Sequence, residues 1–163
     1  MTSLQSLLGT ESPIIQAPMA GVQGSALTVA VSNAGGLGSL PCALLTIEAM
    51  CSELATIRAQ TTRPFNVNFF CHTPPLPNAK REAAWHNALA PYFAEFGLDL
   101  RVIVAGPGRA SFSTETANAL AEFRPPVVSF HFGLPSDGLL AQVRSWGAKI
   151  LASATTVAEA RWL

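Results

Sequence analysis

The sequence predicts an α/β protein in which parallel strands alternate with helices, as they do in an α/β barrel. Three observations predict it. Short apolar runs recur along the chain, and each is followed by a segment with apolar residues at helical spacing. The runs are nearly continuous in apolar character, as strands covered on both faces are. Apolar residues make up 49% of the 163 residues and charged residues only 12%. About 25% charged is usual, so much of this surface is expected to be covered by further chain, a partner or a ligand.

Ile14-Ile15-Gln16-Ala17-Pro18 reads as the first strand, closed by a proline that cannot donate to a ladder. Ser25 is the expected N-cap of a helix reaching Asn33, with Leu27, Ala30, Val31 and Ala34 on one face. Gly35 suits the left-handed position after it. Gly36 to Leu40 is the second strand. Thr46 to Gln60 is the clearest helix, with Ile47, Met50, Leu54 and Ile57 at spacings of three and four and Glu48 in its first turn.

Phe65 to Phe70 is the third strand, and the proline-rich stretch from Cys71 to Asn78 is loop. Ala79 to Glu95 reads as a helix that Pro91 should end or kink. Leu98 to Arg109 is ambiguous, with Arg101 to Val104 a candidate strand. Glu115 to Arg124 is a helix, Val127 to Phe132 the fourth strand, and Asp137 to Trp146 a helix capped by Ser136. Lys149 to Ala154 is the fifth strand, and Thr156-Val157-Ala158-Glu159 is a capping box opening a last helix.

Strand and helix spacing fits either an open doubly wound sheet or a (β/α)8 TIM barrel. A barrel takes eight strands and about 250 residues. The expectation is a single TIM-barrel domain over residues 1–163, of which only about the first five βα units are present.

Composition excludes several function classes. Net charge is zero, so there is no electrostatic footprint for nucleic acid or an anionic membrane. Residues 12–47 carry no charge, but glycines and prolines interrupt them too often for a membrane span. No signal peptide is visible, and a cytoplasmic location is expected. Cys42, Cys51 and Cys71 form neither a CxxC nor an even set, which favours reduced thiols over disulfides or zinc. Gly106-Pro107-Gly108 lacks the third glycine of a dinucleotide fingerprint, and the scattered carboxylates form no glycosidase-like pair.

Ligands of parallel α/β folds bind at the C-terminal ends of the strands. Ala17, Pro18, Met19 and Ala20 lie at the first of these ends, small enough to admit a flat ligand to the backbone. Met19 adds a polarizable side chain suited to an aromatic face. A plain tight turn explains these residues equally well. Asn68 is a carboxamide among apolar neighbours and must be paired, with a ligand edge or with a neighbouring loop. Asn66 points to the same side by the period of two. His131 ends the fourth strand with no carboxylate nearby in sequence to orient it, so a satisfied core histidine is the ordinary reading. Ser153 and Thr155 end the fifth strand.

Pro13 to Gly21, Ser32 to Gly38 and Arg63 to Phe70, taken in this order and spacing, resemble the nitronate monooxygenase family, and Val127 to Gly133 resembles its fourth strand. The resemblance runs from about Pro13 to Leu163. It implies an FMN-containing TIM barrel that oxidises alkyl nitronates with dioxygen to a carbonyl compound and nitrite. It implies that Asn68 contacts FMN and that the Pro18-Met19-Ala20 turn lies against the isoalloxazine ring, with Ser153 on the cofactor side and His131 beside the substrate. The family's catalytic histidine lies in a glycine-rich segment after the next strand, so no catalytic residue is expected within this chain. The FMN phosphate site is built from later strand ends. Another FMN- or phosphate-binding barrel, such as a flavin-dependent enoyl reductase or a relative of inosine monophosphate dehydrogenase, is the alternative, with a non-catalytic fragment as a third. Self-association through uncovered sheet edges is expected.

Overall fold

Four parallel strands carry the architecture in the computed structural model, which describes residues 3–99 and 109–163. They are β1 (Gly38–Pro41), β2 (Phe65–Phe70), β3 (Val127–His131) and β4 (Lys149–Ala152), hydrogen-bonded in that order. Seven helices accompany them among the described residues: α1 (Leu4–Leu8), α2 (Ser25–Asn33), α3 (Ile47–Gln60), α4 (Ala79–Glu95), α5 (Thr114–Phe123), α6 (Asp137–Ser145) and α7 (Val157–Trp162). The candidate strand at Arg101 to Val104 lies outside the described residues.

Strand order decides between the two parallel architectures. A doubly wound sheet reverses its order at a switch point. Here every strand pairs with its predecessor in sequence, in parallel, from β1 to β4. Right-handed crossovers between consecutive neighbours then place the helices α2, α3, α5 and α6 on one face. Accordingly, α2 packs on α3, α3 on α5 and α5 on α6. This is the build of a TIM barrel, present in part. The chain forms two compact units, Met1–His72 with Arg109–Leu163, and Thr73–Gly108. The second holds α4, which runs through Pro91 to Glu95. The bounds are those expected, and of the end or kink expected at Pro91 the end does not occur: a proline removes one rung, and a helix of this length keeps the rungs on either side.

The expected first strand shrinks to one parallel bridge, Ile15 opposite Leu37. Pro18 has no N–H to continue the ladder. The Gln16 side chain makes the next rung instead, accepting from the Ser39 backbone N–H at 3.1 Å and donating to the Ser39 carbonyl at 3.2 Å. The segment therefore keeps the place of a strand outside β1.

Alternation along the strands sorts their side chains. Leu40, Val67, Phe69, Val128 and Phe130 meet Met50, Leu54, Ile57, Ala117, Leu120 and Val143 in the helix-covered core. Ser39, Asn66, Asn68, Ser129 and His131 take the opposite, inner face. At the N-terminal end of that face Leu8 of α1 packs on Leu37 and Val127, with Leu151 beside them.

One cap differs from the sequence expectation. Ser25 is the first residue of α2, not its cap. Its N–H donates to the Glu53 carboxylate at 2.6 Å, so α3 caps α2 from outside. In α7 the expected capping box forms: Thr156 Oγ1 accepts from the Glu159 N–H, and the Glu159 carboxylate reaches back to the Thr155 N–H and hydroxyl and to the Thr156 backbone. β4 is also more exposed than a strand covered on both faces, because it forms the edge of the sheet.

Candidate functional site

The inner face carries a polar ladder inside an otherwise apolar sheet. Asn66 Nδ2 donates to Ser39 Oγ at 3.0 Å and to Ser129 Oγ at 2.9 Å. Asn68 Nδ2 donates to Ser129 Oγ at 2.9 Å and to the Ser129 carbonyl at 3.3 Å. All four residues are buried. Strand register makes this possible, since Ser39 sits opposite Asn66 and Asn68 opposite Ser129. The Asn66 carbonyl oxygen is buried without a partner among the described residues. An unpaired buried acceptor costs about 1–3 kcal/mol, so this atom is suited to meet a donor from outside the ladder.

Toward the C-terminal ends, His131 Nδ1 lies 2.8 Å from Ser153 Oγ. A cavity of about 130 Å³ opens here, lined by Ile15, Pro18, Asn66, Ser129, His131 and Ser153 among others. Its walls are almost wholly apolar apart from these polar groups. Phe132, the residue after β3, has φ 66° and is 61% exposed. A left-handed bulky residue costs roughly 1–3 kcal/mol. The kink turns its ring onto Phe70, with centroids 5.0 Å apart, edge to face, and places it 6.3 Å from the His131 ring.

The cavity thus brings together three of the residues singled out from sequence, Pro18, His131 and Ser153. Asn68 is on the same inner face but 1% exposed, in the ladder behind the cavity. Met19 is half exposed in the turn, and Ala17 accepts a hydrogen bond from Gln23 Nε2 at 2.9 Å. The cavity wall includes neither of these, nor Ala20. Sequence reasoning missed Ser39 and Ser129 as ladder members and Phe132 as a kinked residue beside His131. The serines were legible as hydroxyls in apolar strands, but their shared partner depends on register. Among the described residues no cluster of His, Cys, Asp and Glu could hold a metal ion, and no helix is long and apolar enough to cross a membrane. All three cysteines are free. Burial pushes the Cys42 thiol far above its ordinary range and the Cys71 thiol up to about 11.

A parallel α/β barrel segment with an apolar cavity edged by a few polar groups at its strand C-termini is the arrangement by which barrel enzymes take small molecules. The model of the nitronate monooxygenase family matches residues 1–163, and the chain belongs to that family. It is 42% identical to a nitronate monooxygenase of Paraburkholderia phytofirmans over 97% of this chain and 43% of the relative. It is 43% identical to one of Pseudomonas aeruginosa over 94% of this chain and 44% of the relative. Among solved structures, a nitroalkane oxidase from Streptomyces ansochromogenes superposes with a TM-score of 0.80 at 35% identity, over 98% of this chain and 45% of the other. FabK from Thermotoga maritima, at 22% identity and a TM-score of 0.68, shares the fold. The chain therefore spans less than half the length of these relatives.

Proposed function

We propose that this chain contributes the first half of the cofactor and substrate site of an FMN-dependent enzyme that oxidises alkyl nitronates with dioxygen to a carbonyl compound and nitrite. One observation carries the reading: Pro18, Asn66, Ser129, His131 and Ser153 converge on one cavity at the C-terminal ends of parallel strands. Family membership supports the chemistry.

The residues present fit a flavin. Its ring system is flat and largely apolar, with carbonyls and ring N–H groups along its edges. The site offers an apolar cavity and a buried unpartnered acceptor on Asn66. Ser153 would hold the ring edge directly and Asn68 through Ser129, which lines the cavity, and the Ala17-Pro18-Met19-Ala20 turn would lie along it, with the Met19 thioether against the aromatic face. When bound, a flavin would supply the redox chemistry that carries electrons from the nitronate to dioxygen.

His131 stands on the substrate side. Its Nδ1 is engaged by Ser153, which leaves Nε2 to face a nitronate oxygen. Phe70 and Phe132 supply an apolar rim that keeps water from the substrate's alkyl group. The proton-transferring base is assigned to no residue of this chain. The enzyme acts on small molecules, in the cytoplasm.

FMN titration of the full-length protein tests this, together with nitronate-dependent oxygen uptake and nitrite release. Asn68→Ala is expected to weaken FMN binding roughly five- to 150-fold, the equivalent of 1–3 kcal/mol. His131→Ala is expected to retain FMN and to lose turnover only in part. A loss above about a thousandfold in kcat with the flavin site saturated would make His131 the base, since a positioned acid or base contributes about 10²–10⁴.

A further inference from the structure

We propose that the exposed apolar face of α4 pairs with the same face of a second copy of this protein, as an antiparallel helix pair related by a two-fold axis at Ala88. The face lies wholly within the second compact unit, Thr73–Gly108. α4 buries none of its residues, yet its sequence is patterned as a helix that covers something. Trp85, Leu89, Tyr92 and Phe96 follow one another at spacings of four, three and four, which sets them in one stripe along the helix. Trp85 is 60%, Tyr92 59% and Phe96 71% exposed.

Area sets the scale of the contact. Each aromatic side chain buries about 150–250 Å² when fully covered, so these three leave roughly 300–500 Å² of apolar surface open on each copy. With Leu89, Ala88 and the stems of the flanking charged residues, an α4 pair reaches the roughly 600 Å² per copy at which specific interfaces begin. Patches of this size mark contact surfaces.

Charge says what covers the face. α4 carries Lys80 and Arg81 against Glu82 and Glu95, so it has no excess of either sign to draw an anionic surface or a charged partner. Arg81 and Glu95 lie about four helical turns apart on one flank of the stripe, with Ala88 midway between them. In an antiparallel pair the same flank of each helix meets across the axis. Arg81 of each copy then faces Glu95 of the other, and Ala88 meets its own counterpart where the helices come closest. Trp85 packs on Leu89 of the second copy. The face is thereby complementary to itself, as a two-fold interface must be. The pairing is distinct from association through open sheet edges, and the helices that cover the sheet take no part in it.

The test is the oligomeric state of the full-length protein, followed by sedimentation over a concentration series. A monomer–dimer equilibrium is expected. Trp85→Ala is expected to raise its dissociation constant about thirtyfold or more, as truncation of an interface hot spot does. Arg81→Glu and Glu95→Arg each set like charges against one another twice in the dimer, and each is expected to weaken it roughly three- to tenfold. Combining the two exchanges the charges and is expected to restore the wild-type affinity. All three side chains are exposed, so the variants are expected to melt as the wild type does. Should Trp85→Ala melt early, the charge exchange decides. A protein that is monomeric at every concentration overturns the proposal; if Trp85 is then shielded from a dissolved fluorescence quencher, further chain of the same protein covers the face. A dimer that ignores both Trp85→Ala and the single charge reversals, or that the combined variant fails to restore, also overturns it, because the contact then lies elsewhere.

Discussion

His131 and Ser153 are joined across the β3–β4 edge, with the imidazole Nδ1 2.8 Å from the serine hydroxyl oxygen. A histidine that looks unoriented in the sequence is therefore held by a residue from the next strand end. If the hydroxyl donates, Nε2 carries the proton and can face an anionic oxygen. Ser153→Ala is expected to raise KM for a nitronate about two- to tenfold, the equivalent of a hydrogen bond near 0.5–1.5 kcal/mol, with Ser153→Thr restoring it. Steady-state oxygen uptake beside FMN titration checks this. A fall in FMN affinity with no rise in KM would mean that Ser153 serves the cofactor alone and does not act through His131.

Gly38 is where β1 passes closest to α2. A Cβ at this position would lie 2.0 Å from the Thr28 carbonyl oxygen and 2.7 Å from Ser32 Oγ. The Thr28 carbonyl cannot move without shifting the helix, and moving Ser32 Oγ would break the bond it accepts from the Gly38 N–H. Gly38→Ala is expected to destabilise by about 3 kcal/mol or more, in the range of severe core overpacking. Chemical denaturation of the two proteins measures it. A loss under about 1 kcal/mol would mean that α2 is not packed against β1 as described.

The N-terminus of α2 borrows its cap from α3. Glu53 accepts from the Ser25 N–H at 2.6 Å, and Gly24 leaves room for the carboxylate, its missing Cβ lying 3.1 Å from the same oxygen. Glu53→Ala is expected to cost about 0.5–2 kcal/mol, as loss of an N-cap does. Ser25→Ala is expected to cost little, because the backbone N–H makes the bond. The reverse order of effects would restore Ser25 as the cap.

These residues show what was legible beforehand. Helix α3 and strand β2 stand where periodicity puts them, because Met50, Leu54 and Ile57 at helical spacing and Phe65, Val67 and Phe69 at a period of two are local signals. Asn68 and His131 are identifiable as polar groups at strand ends for the same reason. What pairs them is not local. Ser129 meets Asn66 and Asn68 only through the β2–β3 register, and Glu53 meets Ser25 only through helix packing across 28 positions. The single bridge at Ile15 was also illegible, since a glutamine side chain substituting for a strand rung has no sequence signature.

Stability above pH 9 reports the buried thiol of Cys42. Burial is the main cause of its raised pKa, opposed in part by the backbone hydrogen bond with Asn68 and reinforced by Glu53. In the unfolded chain the thiol ionises near its ordinary value of 9.0, while in the folded protein it keeps its proton. Stability is therefore fully present below pH 9 and falls as pH rises, at a slope approaching about 1.4 kcal/mol per pH unit for this one group. Cys71, raised to about 11, adds to the fall between those values. Denaturant midpoints at pH 8 and pH 10.5 should differ less in Cys42→Ala than in wild type. An equal difference in both would place the alkaline sensitivity elsewhere.

A polypeptide limited to these 163 residues is expected to self-associate. The argument starts at the sheet edge. β4 presents backbone groups with no further strand beside it among the described residues, and its residues are half-buried or exposed. On the other side, Ile14 and Ile15 are 61% and 40% exposed, outside a single bridge to Leu37. Closed barrels remove both edges by pairing them. Left open, an edge is a template for another chain, and the apolar cavity between Ile15 and Leu151 adds surface to bury. The helix-covered face is already packed, so association is expected through the inner face and edges rather than through the helices. Gel filtration with light scattering over a concentration series should show species larger than 17.1 kDa. Lys or Glu at Ile15 and Leu151 should reduce them, whereas charges at exposed helix positions such as Leu27 should not. A concentration-independent monomer with a cooperative melt would mean that the half-barrel closes on itself, and that its edges are not the liability the strand order implies.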